Sequence, residues 1–162
     1  MAIQDANYHR DNFRLTQALG DKLFAAEATM APTGFESLYL LIKQFPHPIL
    51  SGGEVVESAV ANGGSMWQQQ QPDFKFQGPF AIYETVTAAA RQFFRDVLSA
   101  GGYFDARIYE GSPDRHTRSY LIERASVKLD LPDRDGEARG QLLVYTGTIS
   151  FHYFGEERPG NI

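Results

Sequence analysis

Hydrophobic positions along this chain switch between two periods. From about Thr85 to Ala100, the residues Val86, Ala89, Ala90, Phe93, Phe94, Val97 and Leu98 recur at i, i+3, i+4, i+7 and i+8, which predicts an amphipathic helix with one apolar stripe. Glu84 and Thr85 stand where an N-cap and an acidic first turn are favoured, and Gly101-Gly102 tolerates the left-handed backbone that ends a helix. Two buried phenylalanines on that stripe would contribute about 3–6 kcal/mol gross, enough to anchor the helix on a sheet.

Elsewhere the period is two. Phe74 and Phe76 alternate with Lys75 and Gln77, and Gly78-Pro79 predicts a break before Phe80-Ala81-Ile82-Tyr83. Phe104, Ala106 and Ile108 alternate with Asp105 and Arg107. After a polar loop at 111–118, Tyr120-Leu121-Ile122 leads into Ala125–Leu131, whose odd positions are all apolar. A return strand from about Gln141 to Phe154 sets Ile149, Phe151 and Tyr153 against Thr148, Ser150 and His152, so the two segments form a long hairpin around Pro132–Gly136, where Asp-Gly suits a tight turn. Phe35–Phe45, followed by Pro46 and Pro48, reads as a buried strand rather than a short helix, and Glu54–Val60 is a β-prone segment between the glycine pairs Gly52-Gly53 and Gly63-Gly64.

The first residues are less regular. Phe13, Ala18, Leu19, Leu23, Phe24 and Ala26 recur at mixed helical spacings around Gly20, which predicts one or two short helices or an arm that orders against a neighbour, with a stop at Thr29–Gly34. The expected organisation is an N-terminal arm over 1–34, a β-domain over 35–155 with its helix at about 85–100, and a flexible tail over 156–162. The fold class is mainly β (α+β): an antiparallel β-sandwich or partly closed β-barrel with one packed amphipathic helix and an N-terminal helical or extended arm.

At 162 residues with 43% hydrophobic and 22% charged residues, the chain can bury a core of its own, which excludes wholesale disorder. The absence of cysteine removes a disulfide framework, a thiolate nucleophile and any sulfur-ligated zinc site. No apolar stretch near the N-terminus resembles a secretory signal and none has the length of a membrane span, so a protein made in the cytoplasm without stable membrane insertion is expected. A net charge of −5, with 15 basic residues scattered among 20 acidic ones, argues against tight binding of nucleic-acid phosphate.

Candidate chemistry is thin. His9, His47, His116 and His152 lie far apart with no metal-ligand spacing, and Asp130, Asp133, Asp135 and Glu137 are explained by an acidic turn better than by a calcium loop. No phosphate-cradling glycine motif or nucleophile elbow occurs, so no cofactor and no enzymatic activity are expected. Gln68–Gln71 reads as an exposed loop, linker or mobile hairpin arm, and the phenylalanines Phe74, Phe76, Phe80, Phe93, Phe94, Phe104 and Phe151, with Tyr153, fall on core faces before they form a stacking platform.

The order of features is a strand, a glycine-bounded β arm, an aromatic strand, one amphipathic helix, another strand, and a terminal hairpin closing on Gly147-Thr148-Ile149-Ser150-Phe151-His152-Tyr153-Phe154-Gly155. Over about Phe35 to Gly155 this resembles the tail tube proteins of contractile-tailed bacteriophages and, more distantly, the inner-tube protein of type VI secretion systems. The resemblance implies a virion protein that forms homohexameric rings, stacked into a tube through which DNA passes without tight binding, with sheath, baseplate and tail-terminator proteins as partners. A tube-initiating baseplate ring or tail-completion ring would share the fold, and a small-molecule binding β-barrel module is the alternative from another class. On the tube reading, Gln68, Gln70, Lys75, Gln77, Thr148, Ser150 and His152 are candidates for the channel-facing surface, and Gly52, Gly53, Gly63 and Gly64 for the hinges of an inter-subunit arm.

Overall fold

The computed structural model describes residues 5–162. Over these residues the fold is mainly β: an antiparallel sheet, two α-helices and a separate two-stranded ribbon. In order these are α1 (Ala6–Leu19), β1 (Thr29–Pro32), a 3-10 turn at Glu36–Leu40, β2 (Ile42–Gln44), β3 (Val55–Ala59), β4 (Ser65–Gln69), β5 (Lys75–Tyr83), α2 (Ala89–Ser99), β6 (Phe104–Gly111), β7 (His116–Leu129), β8 (Val144–His152) and β9 (Glu157–Pro159). The main sheet runs β1-β6-β7-β8-β5-β2, with β9 also paired to β7, while β3 and β4 pair only with each other.

The sheet does not close into a barrel, yet it wraps one core. Its long strand β7 serves two halves, pairing β6 and β9 through its first part and β8 through its last. Between them Arg124 adopts φ 50°, its amide donates to Asp105 at 3.0 Å, and the register slips between Glu123 and Ser126. This extra residue switches the inward face from even positions (Tyr120, Ile122) to odd ones (Ala125), which is how strands turn from one sheet layer into another. Met30, Ala106 and Ile108 from one half and Phe80, Ile82, Ile149 and Phe151 from the other then share a single apolar cluster. Helix α2 closes its side: the Phe93 ring meets Phe35 at 5.1 Å and Phe104 at 5.2 Å, and Phe94 meets Phe80 at 6.4 Å.

Several expectations change. The helix begins at Ala89, because Ala88 takes a left-handed φ of 60° and the capping acts from a distance. Glu84 Oε1 accepts from the Thr85 and Ala90 amides at 2.8 and 3.1 Å, its Oε2 accepts from Arg91 at 3.1 Å, and Thr85 Oγ1 accepts from Ala89 at 3.1 Å. Val86 therefore precedes the helix and is fully exposed, and Leu98 faces outward. Gly78-Pro79 does not break β5: Pro79 pairs Thr148 of β8 on one side, and β2 does not reach it on the other, so its missing N–H falls at an open edge. Phe35–Phe45 is mostly a 3-10 turn with only Ile42–Gln44 extended, and the supposed stop at Thr29–Gly34 contains β1, paired with β6.

The β7–β8 connection is a loop from Asp130 to Leu143 with Leu131 exposed, rather than a tight turn at Gly136. Phe74, expected in the core, is 39% exposed and packs its ring on Phe154 at the rim. The expected tail at 156–162 is pinned: β9 pairs Arg118–Tyr120, and the Asn161 side chain accepts from the His116 amide at 3.0 Å and donates to the Asp114 carbonyl at 2.6 Å.

Burial pushes the Glu84 carboxyl up, but hydrogen bonds from the Thr85 amide, the Tyr145 hydroxyl and the Ala90 and Arg91 amides outweigh it and hold the group below the ordinary carboxylate value. Its contribution is then complete above the ordinary carboxylate pKa and is lost as pH falls through the depressed one. Glu84→Ala should cost about 1 kcal/mol near neutral pH, as loss of an N-cap does, and the gap to wild type in urea unfolding should close toward strongly acid pH.

Candidate assembly surfaces

Strand register gathers five of the candidate channel residues on one face. In the β5–β8 ladder Lys75 stands opposite His152, Gln77 opposite Ser150 and Pro79 opposite Thr148, while Phe76, Phe80, Ile149 and Phe151 point the other way into the core. Strand β7 extends each row with Glu123 beside His152, Ser126 beside Ser150 and Lys128 beside Thr148. The outer face of these three strands is thus hydroxyl- and amide-rich, with Lys75 and Lys128 against Glu123. Alternation along β7 before Glu123 does not carry past the bulge at Arg124, which inverts the parity; beyond it the odd apolar set Ala125, Val127 and Leu129 marks the even residues Ser126 and Lys128 as outward.

Gln68 and Gln70 lie elsewhere. Gln68 belongs to β4, where Met66 and Gln68 pair Ser58 and Val56 of β3, and the Gln70 amide continues the ladder to the Glu54 carbonyl at 2.9 Å. Every residue of the ribbon strands is exposed except Ser58, including Val55, Val56, Met66 and Trp67, the last at 72%. A two-stranded hairpin alone is marginally stable in water, and its unguarded edges invite pairing. The four glycines divide between its ends. Gly52 and Gly53 sit at the root beside Gln69–Gln71, where a side chain would collide, and Gly63 (φ 80°) follows Asn62 (φ 67°) at the tip, with Gly64 next to it.

Helix α1 is capped by Asp5, whose carboxylate accepts from the Tyr8 amide at 2.9 Å, and it ends at Gly20. None of its residues is buried, and Phe13, Leu15, Leu19, Leu23 and Phe24 are all exposed. Fourteen residues make a helix too short to be stable alone in water.

A buried polar cluster lies beside the His47–Leu50 segment that leads to the ribbon, and composition gave no sign of it. Glu110, 6% exposed, accepts from the Tyr120 hydroxyl at 2.6 Å, from Arg118 Nε at 3.0 Å and from the Thr117 hydroxyl at 3.4 Å. Burial pushes this carboxyl up, but Tyr120, Arg118 and His47 together hold it below the ordinary value. Glu110 interrupts the inward set Phe104, Ala106, Ile108 of β6 at the next even position, which was the available signal. Among the described residues no group of three or more His, Asp or Glu is placed to hold a metal ion, and no helix is long and apolar enough to cross a membrane.

No family model and no curated protein sequence matches the chain. Solved structures do. A chain of the sheath–tube complex of an extracellular contractile injection system in its extended state matches with TM-score 0.60 and 10% identity, covering 90% of this chain and 97% of that one. The tube-terminating cap of the anti-feeding prophage matches with TM-score 0.55 and 12% identity over 86% and 92% of the two chains. Its baseplate contains a match with TM-score 0.53 and 14% identity over 86% and 95%. At these identities the likeness concerns the fold, and the fold of this chain is that of the tail-tube-like components of contractile injection systems.

Proposed function

We propose that the chain is a structural subunit of a contractile phage tail: the tail tube protein, assembled as stacked homohexameric rings around a channel that conducts DNA. The observation that carries this is the pairing of a tube-like fold with a folded, apolar and unpartnered ribbon, a combination that makes sense when a neighbouring copy covers the ribbon. The polar face of Lys75, Gln77, Thr148, Ser150 and His152 is the channel-facing surface in this reading, backed on its other side by the core. Gln68 and Gln70 reach it only when the ribbon lies along a neighbour, with Gly52 and Gly53 as the hinge. Sheath, baseplate and terminator proteins are the expected partners, the virion the expected location, and no enzymatic activity is assigned.

A terminal ring is the second reading, favoured by the similar TM-scores of the cap and baseplate matches, 0.55 and 0.53 against 0.60. A ligand-binding barrel has less support, because Phe80, Phe93, Ile108 and Ile149 fill the interior and a 560 Å³ cleft by Leu23, Phe24 and Phe45 lies at its edge. Negative-stain microscopy of the concentrated protein separates these readings. Tubes or stacked rings are expected; discrete rings alone would transfer the chain to a terminal role, and monomer at every concentration in sedimentation would refute assembly altogether.

A further inference from the structure

Trp67 is the chain's only tryptophan, and at 72% exposed it leaves a large apolar ring uncovered. In the ribbon it stands directly opposite Glu57, so the two share one face, with Val55 next along it. That face presents an aromatic body, an indole N–H that needs an acceptor once buried, and a carboxylate.

A cleft on the body presents the converse. Leu23, Phe24 and Phe45 wall a space of 560 Å³, and Glu27 and Lys43 share its lining. Among the described residues the Glu27 carboxylate accepts no hydrogen bond, and Lys43 makes no ion pair, its ammonium standing 5.6 Å from the centre of the Tyr83 ring. Glu110, at the same cleft, is already committed to Tyr120, Arg118 and Thr117. Leu23 and Phe24 also line a second hollow with Phe13, so the apolar surface runs on from the cleft to the uncovered α1.

These two surfaces do not meet within one chain, since Trp67 lines neither hollow. Two different patches that match each other make a heterologous contact, the kind that closes a ring or extends a filament. We propose that the Trp67 face of one copy's ribbon seats in the Phe24–Phe45 cleft of the next copy, with Glu57 against Lys43 and the indole N–H directed at Glu27. The docking rests on the assembly reading above and supplies what that reading lacks, the surface that receives the ribbon.

With a single tryptophan in the chain, fluorescence reports the burial of Trp67 itself. Wild-type emission should move to the blue as rising concentration converts monomer to rings, in step with sedimentation velocity. Glu57→Lys and Lys43→Glu should each raise the concentration needed for assembly roughly tenfold, as like charges set against each other at an interface do, and the double exchange should return it to within about threefold of wild type. Both positions are exposed, so melting curves of the three variants should match wild type, and the emission readout needs no variant at all. Rings whose Trp67 emission stays unshifted, or a double exchange no better than the single ones, overturn this docking and leave the tube standing. A wild-type chain that remains monomer at every concentration overturns both.

Discussion

Excision of residues 54–70 should give a folded chain that no longer assembles. The ribbon contributes nothing to the core cluster, and the ends left by the cut already touch: the Gln71 carbonyl lies where a Gly53 side chain would be, so the backbones can be joined with little displacement. The segments on either side of the cut keep their contacts, since His47 still packs on Tyr120, Leu50 beside Gly155 and Phe74 on Phe154. The melting temperature should move by a few degrees at most, because surface changes away from core, caps and buried polar groups are nearly neutral. Assembly should fall from rings to monomer, an all-or-none loss, because in the proposed tube the exposed Val55, Val56, Met66 and Trp67 are the apolar area offered to a neighbour. Sedimentation velocity with parallel melting curves checks both halves of the result. Rings formed by the shortened chain would remove the ribbon from the interface and return attention to α1.

Phe93→Ala should have the largest effect on stability. This side chain is 1% exposed and touches Phe35, Phe94 and Phe104 with its ring, joining the helix to β6 and to the segment that follows β1. Truncating such a phenylalanine costs about 3–5 kcal/mol. That is a large share of the roughly 5–15 kcal/mol by which domains are stable. Val86→Ala is the matched control: both residues belong to the apolar stripe by spacing, yet Val86 is fully exposed, so its truncation should be close to neutral in urea unfolding. Equal costs at the two positions would contradict the start of α2 at Ala89.

What could be read from residues alone follows from how local the causes were. The stripe through Ala90, Phe93 and Val97 and the alternations at Phe104–Ile108 and Ile149–Tyr153 express burial at fixed periods, and each holds in the fold. Failures occur where a distant contact decides. Thr29–Pro32 is a strand because β6 lies beside it, and Pro79 continues β5 because no neighbour needs its N–H. Phe74 leaves the core to pack on Phe154 at the rim, and Glu110 enters it because Tyr120, Thr117 and Arg118 are brought from the next strand. The polar face was half legible for the same reason: β5 and β8 alternate simply, whereas β7 hides its contribution behind a single bulge.

The strand order has a consequence in time. Strand β1 must wait for β6, and β5 for β8, so neither half of the body can form before residues far along the chain are available. Ribbon and β6–β7 hairpin, by contrast, close over short loops, and hairpins form in microseconds whereas sheets of distant strands take milliseconds to seconds. The ribbon, which the proposed tube places against a neighbouring copy, therefore takes shape before there is a subunit to join. With no core beneath it the ribbon is only marginally stable until the body is complete, so on the proposed reading lasting attachment to a neighbour waits for a finished subunit.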